Sequence, residues 1–437
     1  MCIKVIGAGL AGCEAAYQIA KRGVKVELYD SKPNVKTPAH KSDLFCELVC
    51  SNSFKADRVN SAAGLLKEEM RTLDSLLVRC ADKCRVPAGG ALAVDREKFS
   101  SLVTQEIRNN RNITVIEQEI KEIPKDGICI IATGPLTLDT LSEDIAKNFG
   151  ERLSFFDAAA PIVSGDSIDM ECAFFESRYG KGDSDDYLNC PMNKEEYEAF
   201  YNELVNAERA SVHDFDVRNP KVYEGCMPIE VMAQRGEDTI RFGPMKPVGL
   251  RNPKTGHRPW AVLQLRKENE NSTMYNLVGF QTNLKFPEQK RVFSMIPALK
   301  NAEFLRYGVM HRNTFLNSPN VLNSDFSAKE NKNLFFAGQI TGVEGYMESA
   351  SSGLLAGINA YRLYSNLSTI TLPEFTMIGS LSRYIADSSV KDFQPMGANF
   401  GVLPELTDRP RDKAQRGQAY ADRALDALKV YIIKEKV

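Results

Sequence analysis

The 437-residue sequence lacks any long uncharged apolar run, and this absence excludes a membrane-spanning helix. Such a helix needs about 18 to 20 consecutive apolar residues, whereas 26% of this chain is charged. The first residues also lack the basic segment and cleavage site of a secretory signal. We therefore expect a folded cytoplasmic protein, whose length favours two domains and whose cysteines stay reduced.

The segment CELVC at 46–50 lacks the spacing of a dithiol redox pair, although the chain has ten cysteines. The pairs Cys46/Cys50 and Cys80/Cys84 have a spacing compatible with zinc. Apolar residues that recur at steps of three and four from Leu66 to Cys84, however, predict one helix with Cys80 and Cys84 on its buried face. Core packing explains these sulfur atoms, and we predict no metal site.

Acidic residues are absent from 239 to 267, where seven lysines and arginines accompany the only tryptophan, Trp260. Prolines and glycines prevent this tract from forming one regular helix. It suits a surface that follows a phosphate backbone, with an aromatic side chain that stacks on a base. A solvated charged face is the alternative. A second basic patch lies between Lys290 and Arg312. The candidate nucleic-acid contacts are Arg251, Lys254, Arg258, Trp260, Arg306 and Arg312.

The first thirty residues contain a dinucleotide-binding pattern. A short apolar strand leads into Gly7-Ala8-Gly9-Leu10-Ala11-Gly12, an alanine-rich helix follows as far as Gly23, and a second strand ends at Asp30. The glycines permit a tight turn, close approach of the backbone to a pyrophosphate, and close packing of helix on strand. Asp30 would accept hydrogen bonds from a ribose.

Two later segments are predicted to return to the same nucleotide. A buried strand breaks at Thr133-Gly134, and a strand from 333 leads into a loop with Gly338, Gly342 and Gly345, followed by Tyr346 and a helix of small residues. This layout resembles FAD-dependent oxidoreductases, and a solvated glycine turn is the alternative. We predict an α/β fold: a Rossmann-like FAD-binding domain, formed by residues 1–164 and 321–437, interrupted by an α+β insertion at 165–320.

Two thiols are candidates for chemistry. Cys50 precedes Ser51-Asn52-Ser53, a polar run typical of a loop or a helix start, where backbone amides would lower a thiol pKa. Cys226 lies between Gly225 and a Met-Pro pair, outside regular helix, and leads into the basic tract. Cys46 is predicted to be a helical core residue. A buried small residue is the alternative for both candidates.

Motifs along nearly the whole chain resemble the folate- and FAD-dependent RNA uracil-5-methyltransferases, the TrmFO family. The similar segments are GAGLAGCEAA, HKSDLFCELVCSNSF, PAGGALAVDREKF, RYGKGDSDDYLNCPM, EGCMPIEVMAQRG, LVGFQTNLKFPEQKRVF, RYGVMHRNTF, FFAGQITGVEGYMESASSG and FQPMGANFG. The resemblance implies methylation of uracil C5 in RNA, usually in the tRNA T-loop. The carbon would come from 5,10-methylenetetrahydrofolate and the electrons from NAD(P)H through FAD.

The resemblance also implies roles for the two thiols. Cys50 and Cys226 match the family's catalytic pair, and addition of a thiolate to C6 would activate C5 of the uracil. We favour Cys226 as the nucleophile and Cys50 as the base that removes the C5 proton, and the sequence leaves the reverse order open. Tyr346 would lie near the flavin or folate ring. We expect RNA as the partner, and neither a membrane nor DNA.

Four alternatives remain open in the sequence. Some family members modify 23S rRNA, and these motifs do not separate them from tRNA-modifying enzymes. The longer GidA-type flavoproteins share the glycine motif but carry a helical extension, whereas this chain ends about 80 residues after the flavin helix. A plain flavin oxidoreductase would leave the basic tract without a role, and an RNA-binding flavoprotein without activity would not need the two thiols.

Overall fold

The first sheet is the centre of a Rossmann-like layer. The computed structural model describes residues 2–37, 39–150, 153–180, 186–210 and 227–437. The first sheet contains β1 (Ile3–Ile6), β2 (Val26–Asp30), β6 (Ile113–Glu117), β7 (Cys129–Ile131) and β16 (Leu334–Phe336). All pairs are parallel, in the order β16-β7-β1-β2-β6. This arrangement confirms the predicted α/β class, because parallel neighbours need helical crossovers.

Helices cover this sheet and extend its core. They are α1 (Leu10–Ala20), α2 (Ala62–Thr72), α3 (Leu76–Lys83), α4 (Arg96–Arg108), α5 (Asp139–Phe149), α10 (Ser318–Val321), α11 (Tyr346–Tyr364), α12 (Met377–Ala386) and α13 (Lys413–Glu435). A small antiparallel sheet of β3 (Ser53–Ala56), β5 (Ala91–Val94) and β4 (Arg85–Val86) lies between α1 and α4 in the chain. The main core therefore combines residues from both ends of the chain.

The single helix predicted from Leu66 to Cys84 is wrong, because the chain breaks between α2 and α3. Asp74 adopts a left-handed φ of 56°, and the Ser75 side chain caps α3 by accepting from Val78 N. The carboxylate of Glu14 on α1 accepts from the first two amides of α3, Leu76 N and Leu77 N. The apolar residues on either side are nevertheless buried, so the pattern identified the core face but not the break.

A second sheet is antiparallel and has its own core. It contains β9 (Ile162–Ser164), β10 (Phe174–Phe175), β11 (Tyr187–Met192), β12 (Ala261–Lys267), β13 (Met274–Leu277) and β14 (Phe304–Arg306). The order is β10-β11-β12-β13-β9-β14. Its helices are α6 (Lys194–Asn206), α7 (Ile229–Ala233), α8 (Glu237–Phe242) and α9 (Phe286–Phe293).

The chain enters and leaves the second sheet through one antiparallel pair, β8 (Leu153–Ala158) and β15 (Met310–Phe315). Single 3-10 turns occupy Gly165–Ser167, Met170–Cys172, Arg178–Gly180, Pro297–Leu299, Gln339–Thr341 and Phe400–Val402. This topology agrees with a predicted insertion, and the exact domain limits at 164 and 320 remain a proposal. Among the described residues, no helix is long and apolar enough to cross a bilayer.

Candidate active site at the junction of the two cores

The glycine loop between β1 and α1 has the backbone that the sequence predicts. Gly7 has a φ of 100°, and a Cβ at Gly12 would lie 1.7 Å from the carbonyl oxygen of Gly7. Asp30 reaches back to the loop, because its Oδ2 accepts from Ala8 N at 2.6 Å. A Cβ at Gly9 would have no protein atom within 4 Å, and Gly9 provides no side-chain cap for α1. The open space and uncapped amides at this helix start are suited to a pyrophosphate.

A cleft opens at the start of α1, with about 1210 Å³ of empty space when the open solvent at its mouth is included. It brings together residues from all three predicted segments. The predicted cofactor residues along its wall are Gly7, Gly9, Leu10, Ala11, Asp30, Thr133, Gly134, Gly338 and Tyr346. The carboxyl ends of β1, β2, β7 and β16 thus face one cavity, as expected for ligand binding at a parallel sheet.

Four other predicted cofactor residues make protein contacts and are absent from the described wall of the cleft: Ala8, Gly12, Gly342 and Gly345. A Cβ at Gly342 would lie 2.5 Å from the ring of Phe393, and one at Gly345 would lie 2.2 Å from the Glu348 carboxylate. The two loop glycines therefore permit close packing around the site.

Helix α11 runs parallel to α1 at very short distance. A Cβ at Gly353 would lie 2.1 Å from Ala11 O, and one at Gly357 would lie 2.7 Å from Ala15 O. Because α1 begins one residue before Ala11 and α11 begins seven before Gly353, α11 extends about six residues, roughly 9 Å, beyond the start of α1. Both helix starts, one of them at Tyr346, therefore belong to the same cleft.

Tyr346 links this cleft to the Cys50 loop. Its hydroxyl accepts from Cys50 N at 2.8 Å and from Ser51 N at 3.3 Å. Its ring packs edge-on against Phe54, with centroids 5.9 Å apart. The neighbouring Val49 lines the cleft, so the thiol of Cys50 is held beside the cavity.

The environment of Cys50 differs from the prediction. Cys50 lies in a bend before β3 and does not begin a helix, so no helix amides lower its pKa. Burial raises the pKa of the thiol well above its usual value, and the adjacent Asp157 raises it further. The Sγ atom donates to Asp157 Oδ2 at 3.4 Å. Cys50 therefore rests as a neutral thiol.

Two carboxyl groups, Asp157 and Glu344, and two guanidinium groups, Arg96 and Arg306, interact electrostatically with this thiol. Burial and the charge of Asp157 raise the pKa of Glu344 to about 8, although Gln339 Nε2 donates to it at 2.6 Å. Arg96 forms an ion pair with Glu268. The charge of Arg96 offsets a small part of the rise in the pKa of the Cys50 thiol. Burial, followed by the charge of Arg96, lowers the pKa of Arg306. Arg306 has no ion-pair partner among the described residues.

Sequence reasoning missed Asp157, Glu344 and Arg96. Asp157 had one available signal, since it is the only acid in the apolar run FFDAAAP at 155–161. Glu344 lies within the glycine loop that was identified, and Arg96 carried no local signal. Their relevance comes from distant segments of the chain that meet at Cys50.

The other cysteines have varied outcomes. Cys226 lies outside the described residues, so its catalytic role remains a proposal. Cys46 is buried as predicted, but it lies in a turn with a φ of 53° and not in a helix. Cys80 and Cys84 are buried too. No three metal-ligating side chains cluster within the parts of the chain that are described.

The basic tract lies along β12 and the loops before it. Trp260, Lys254 and Arg258 line a second open cleft, whereas Arg251 and Arg312 are exposed elsewhere. The guanidinium of Arg241 lies 3.8 Å from the centroid of the Trp260 ring, so one face of the predicted stacking platform is already covered.

The far end of the tract is buried and was not predicted to be. Arg266 donates to Asn52 Oδ1 at 2.8 Å and to Ser51 Oγ at 2.9 Å. Six residues of extended strand separate it from Trp260, a distance of about 20 Å. The strand therefore connects the second cleft to the loop that carries Cys50.

A family model described as glucose inhibited division protein A, GidA, matches residues 2–368. The chain belongs to the GidA family. A protein of Acetivibrio thermocellus named methylenetetrahydrofolate–tRNA-(uracil-5-)-methyltransferase TrmFO is 60% identical over 99% of both chains. A TrmFO protein of Lactobacillus gasseri is 57% identical over 100% of this chain and 99% of its own. These identities place the chain in the TrmFO group of the GidA family.

The solved structure of Aquifex aeolicus GidA in its form II crystal is similar in fold. It superposes with a TM-score of 0.70 at 15% identity, covering 98% of this GidA-family chain and 73% of the Aquifex chain. At this identity the similarity concerns the fold alone. It confirms the predicted GidA-like architecture of a Rossmann-like domain with an insertion.

Proposed function

We propose that this protein transfers a one-carbon unit from 5,10-methylenetetrahydrofolate to C5 of a uracil in tRNA, with FAD as cofactor and NAD(P)H as reductant. The observation that carries the proposal is the meeting of three features at one cavity. These are the open start of α1, the start of α11 with Tyr346, and the loop that holds the Cys50 thiol. The names of the full-length relatives support the same reaction.

The residues of the cleft fit FAD. The space at Gly9 and the uncapped amides of α1 would hold the pyrophosphate. Each Asp30 carboxylate oxygen accepts one backbone amide and keeps a lone pair for a ribose hydroxyl. The start of α11 would face the ring system, where its positive end favours negative charge. When bound, FAD would supply the electrons that reduce the transferred carbon to a methyl group.

The chain itself would activate the uracil. C5 becomes nucleophilic once a thiolate adds to C6, and the C5 proton must then pass to a base. We assign addition to Cys226 and proton removal to Cys50. The Tyr346 hydroxyl holds the Cys50 loop by accepting from the amides of Cys50 and Ser51. Arg306, whose charge interacts with Cys50, is available for an RNA phosphate.

The second cleft would bind RNA away from the reacting base. Lys254 and Arg258 would neutralise phosphates in the cleft that Trp260 lines, and Trp260 lies about 20 Å along the strand from Arg266, which binds the Cys50 loop. Arg251 and Arg312 would extend the basic surface. A uridine in 23S rRNA is the alternative target of the same chemistry. RNA substrates agree with a cytoplasmic location.

Carbon transfer can be measured directly. Labelled methylenetetrahydrofolate is incubated with unmodified tRNA or a 23S rRNA transcript, with FAD and NAD(P)H present and S-adenosylmethionine absent. We expect label in tRNA. Label in rRNA alone would change the target, and flavin binding with NAD(P)H consumption but no label in either RNA would favour a plain oxidoreductase.

Cysteine variants test the assignment. Cys50→Ala and Cys226→Ala are each expected to abolish carbon transfer while NAD(P)H oxidation continues. Cys2→Ala is the matched control, because Cys2 is a partly exposed thiol at the start of β1 that does not line the described cleft. Unchanged transfer in the Cys226→Ala protein would refute covalent activation by that residue.

A further inference from the structure

We propose that Asp157 is the proton acceptor of the Cys50 thiol, a role that rests on the proposed function. Asp157 Oδ2 is the hydrogen-bond acceptor of Cys50 Sγ, at 3.4 Å. The two residues are 107 positions apart in the chain and come from different structural elements. Their contact is therefore created by the fold.

Rigid elements hold both partners. Asp157 lies on β8 and is paired in register with His311 of β15, so the two-stranded connection fixes its position. The Cys50 loop is fixed by Tyr346 from one side. From the other, Asn52 donates to Val94 O and Lys267 O, both at 3.0 Å. A contact fixed at both ends suits proton transfer, which requires hydrogen-bond geometry.

The other polar groups near Cys50 are less suitable acceptors. The pKa of Glu344 is raised to about 8, so this carboxyl already carries a proton at neutral pH. The Tyr346 oxygen already accepts two amides of the Cys50 loop. Arg96 and Arg306 are cations whose charges stabilise a thiolate. Among these groups Asp157 is the remaining candidate acceptor, and its carboxyl oxygen contacts the thiol directly.

Proton transfer from Cys50 to Asp157 needs no additional reactant. The S–H bond breaks with its electron pair left on sulfur, and the proton forms an O–H bond to Oδ2. The products are a thiolate and a neutral carboxylic acid, and nothing is oxidised or reduced. The thiolate is the reactive form whether Cys50 removes the C5 proton or adds to C6. Asp157 acts through Cys50 and is a positioning residue.

The Asp157→Asn variant gives two readouts that should change in opposite directions. The carboxylate of Asp157 raises the pKa of Cys50, so its removal should make the thiol more acidic. We expect iodoacetamide to alkylate Cys50 several-fold faster in the FAD-bound variant than in the FAD-bound parent at pH 7.5. Mass spectrometry measures the rate of alkylation. Release of tritium from RNA containing [5-³H]uracil should nevertheless fall by about tenfold or more, because bound RNA would shield the thiol from water and leave Asp157 as its acceptor, whereas solvent can take the proton in the RNA-free protein that is alkylated.

The result that overturns the proposal is equally defined. If alkylation and tritium release both rise, Asp157 only keeps the thiol neutral. If neither changes, Asp157 does not act on Cys50. Asp166→Asn, an exposed acid of the second sheet region, is the matched control and should leave both rates unchanged. Asp157→Glu retains an acid and should recover part of the release.

Two further measurements keep the inference separate from folding and from the proposed function. Flavin absorbance and far-UV circular dichroism establish that each variant is folded. A parent that releases no tritium refutes the proposed function itself.

Discussion

At the scale of single residues, the hydroxyl of Tyr346 satisfies two backbone amides of the Cys50 loop. Tyr346→Phe removes the acceptor of Cys50 N and Ser51 N and leaves the ring contact with Phe54 in place. Two unsatisfied amides cost about 1–3 kcal/mol each when they are buried. We expect the free energy of unfolding in urea to fall by about 2 kcal/mol or more and carbon transfer to fall more than FAD affinity.

A second tyrosine controls for the loss of a hydroxyl. Tyr384 donates to Gln394 O at an exposed site, so water can replace this hydrogen bond. Tyr384→Phe should therefore change stability by less than about 0.5 kcal/mol and leave transfer intact. Equal effects of the two variants would show that Tyr346 does not specifically support the Cys50 loop.

Glu344 should make stability depend on pH. Its folded pKa of about 8 exceeds the value of about 4.3 in an unfolded chain. Between these two values the folded state binds one more proton than the unfolded chain does. The stability that this proton contributes is fully present below about pH 4 and is lost as the pH rises through 8. Glu344→Gln stays neutral, so it should be at least about 1.4 kcal/mol more stable than the parent at pH 9.

The comparison needs a reference at low pH. At about pH 4 or below both side chains are neutral in the fold and Glu344 is largely protonated in the unfolded chain, so the unfolding free energies of the parent and Glu344→Gln proteins in urea should agree within about 0.5 kcal/mol. A constant difference between pH 4 and pH 9 would show that Glu344 is ionised throughout. In that case Glu344 could compete with Asp157 for the Cys50 proton.

Residue identities could be predicted where the backbone imposes them, and not where the fold combines them. Gly7, Gly9 and Asp30 follow from local geometry and lie where the spacing placed them. The protonation state of Cys50 depends on Asp157, 107 residues away, and the prediction of a lowered pKa was wrong in direction. A short sequence window contains no information on which charge will be opposite a thiol.

At the scale of elements, two glycines have different roles at the neighbouring helices α1 and α11. Gly9 immediately precedes α1, and Gly353 lies within α11. Gly9 leaves space that no protein atom fills, whereas Gly353 is in contact with the α1 backbone. Gly9→Ala should leave the unfolding free energy of the FAD-free protein within about 0.5 kcal/mol of the parent. FAD affinity, measured by flavin fluorescence quenching, should fall tenfold or more because the added methyl group occupies the pyrophosphate position.

Gly353→Ala should show the opposite pattern. The added Cβ would lie 2.1 Å from Ala11 O, so α1 and α11 must separate at a cost of about 1–3 kcal/mol or more. The FAD-free protein should therefore be destabilised in urea unfolding. A Gly353→Ala protein as stable as the parent would mean that the two helices are not packed this closely.

Elements were predictable to the extent that one chain segment determines them. The strands and helices around the glycine loops are within a few residues of their predicted positions. The break between α2 and α3 was missed because the apolar spacing continues across it and only Ser75, as a cap, marks it locally. Glu14, which holds the start of α3, belongs to another helix.

At the scale of the whole molecule, two cores meet at the Cys50 loop, and the proposed reaction would depend on both. The first core supplies the dinucleotide cleft, and the second supplies β12, whose Arg266 binds the loop at one end while the basic cleft lies at the other. The insertion was predicted from composition, but this connection was not, because Arg266 was assigned to an exposed basic surface. Its burial reflects its hydrogen bonds to Ser51 and Asn52.

Asn52 should couple the two cores. Its fully buried amide donates to Val94 O and Lys267 O and accepts from Arg266, so Asn52→Ala leaves polar groups unsatisfied on both sides. We expect the free energy of unfolding to fall by about 2–4 kcal/mol and carbon transfer to be largely lost. Scanning calorimetry should show two transitions for the variant and one for the parent.

A buried asparagine inside one core distinguishes coupling from simple destabilisation. Asn189 is also fully buried, but its amide donates to Phe174 O and Glu176 O within the second sheet region. Asn189→Ala should lower stability by a similar amount and retain more carbon transfer than Asn52→Ala at a temperature where both are folded. If the two variants lose transfer equally, the junction has no role beyond stability, and the position of the Cys50 loop must be set by Tyr346 and the first core alone.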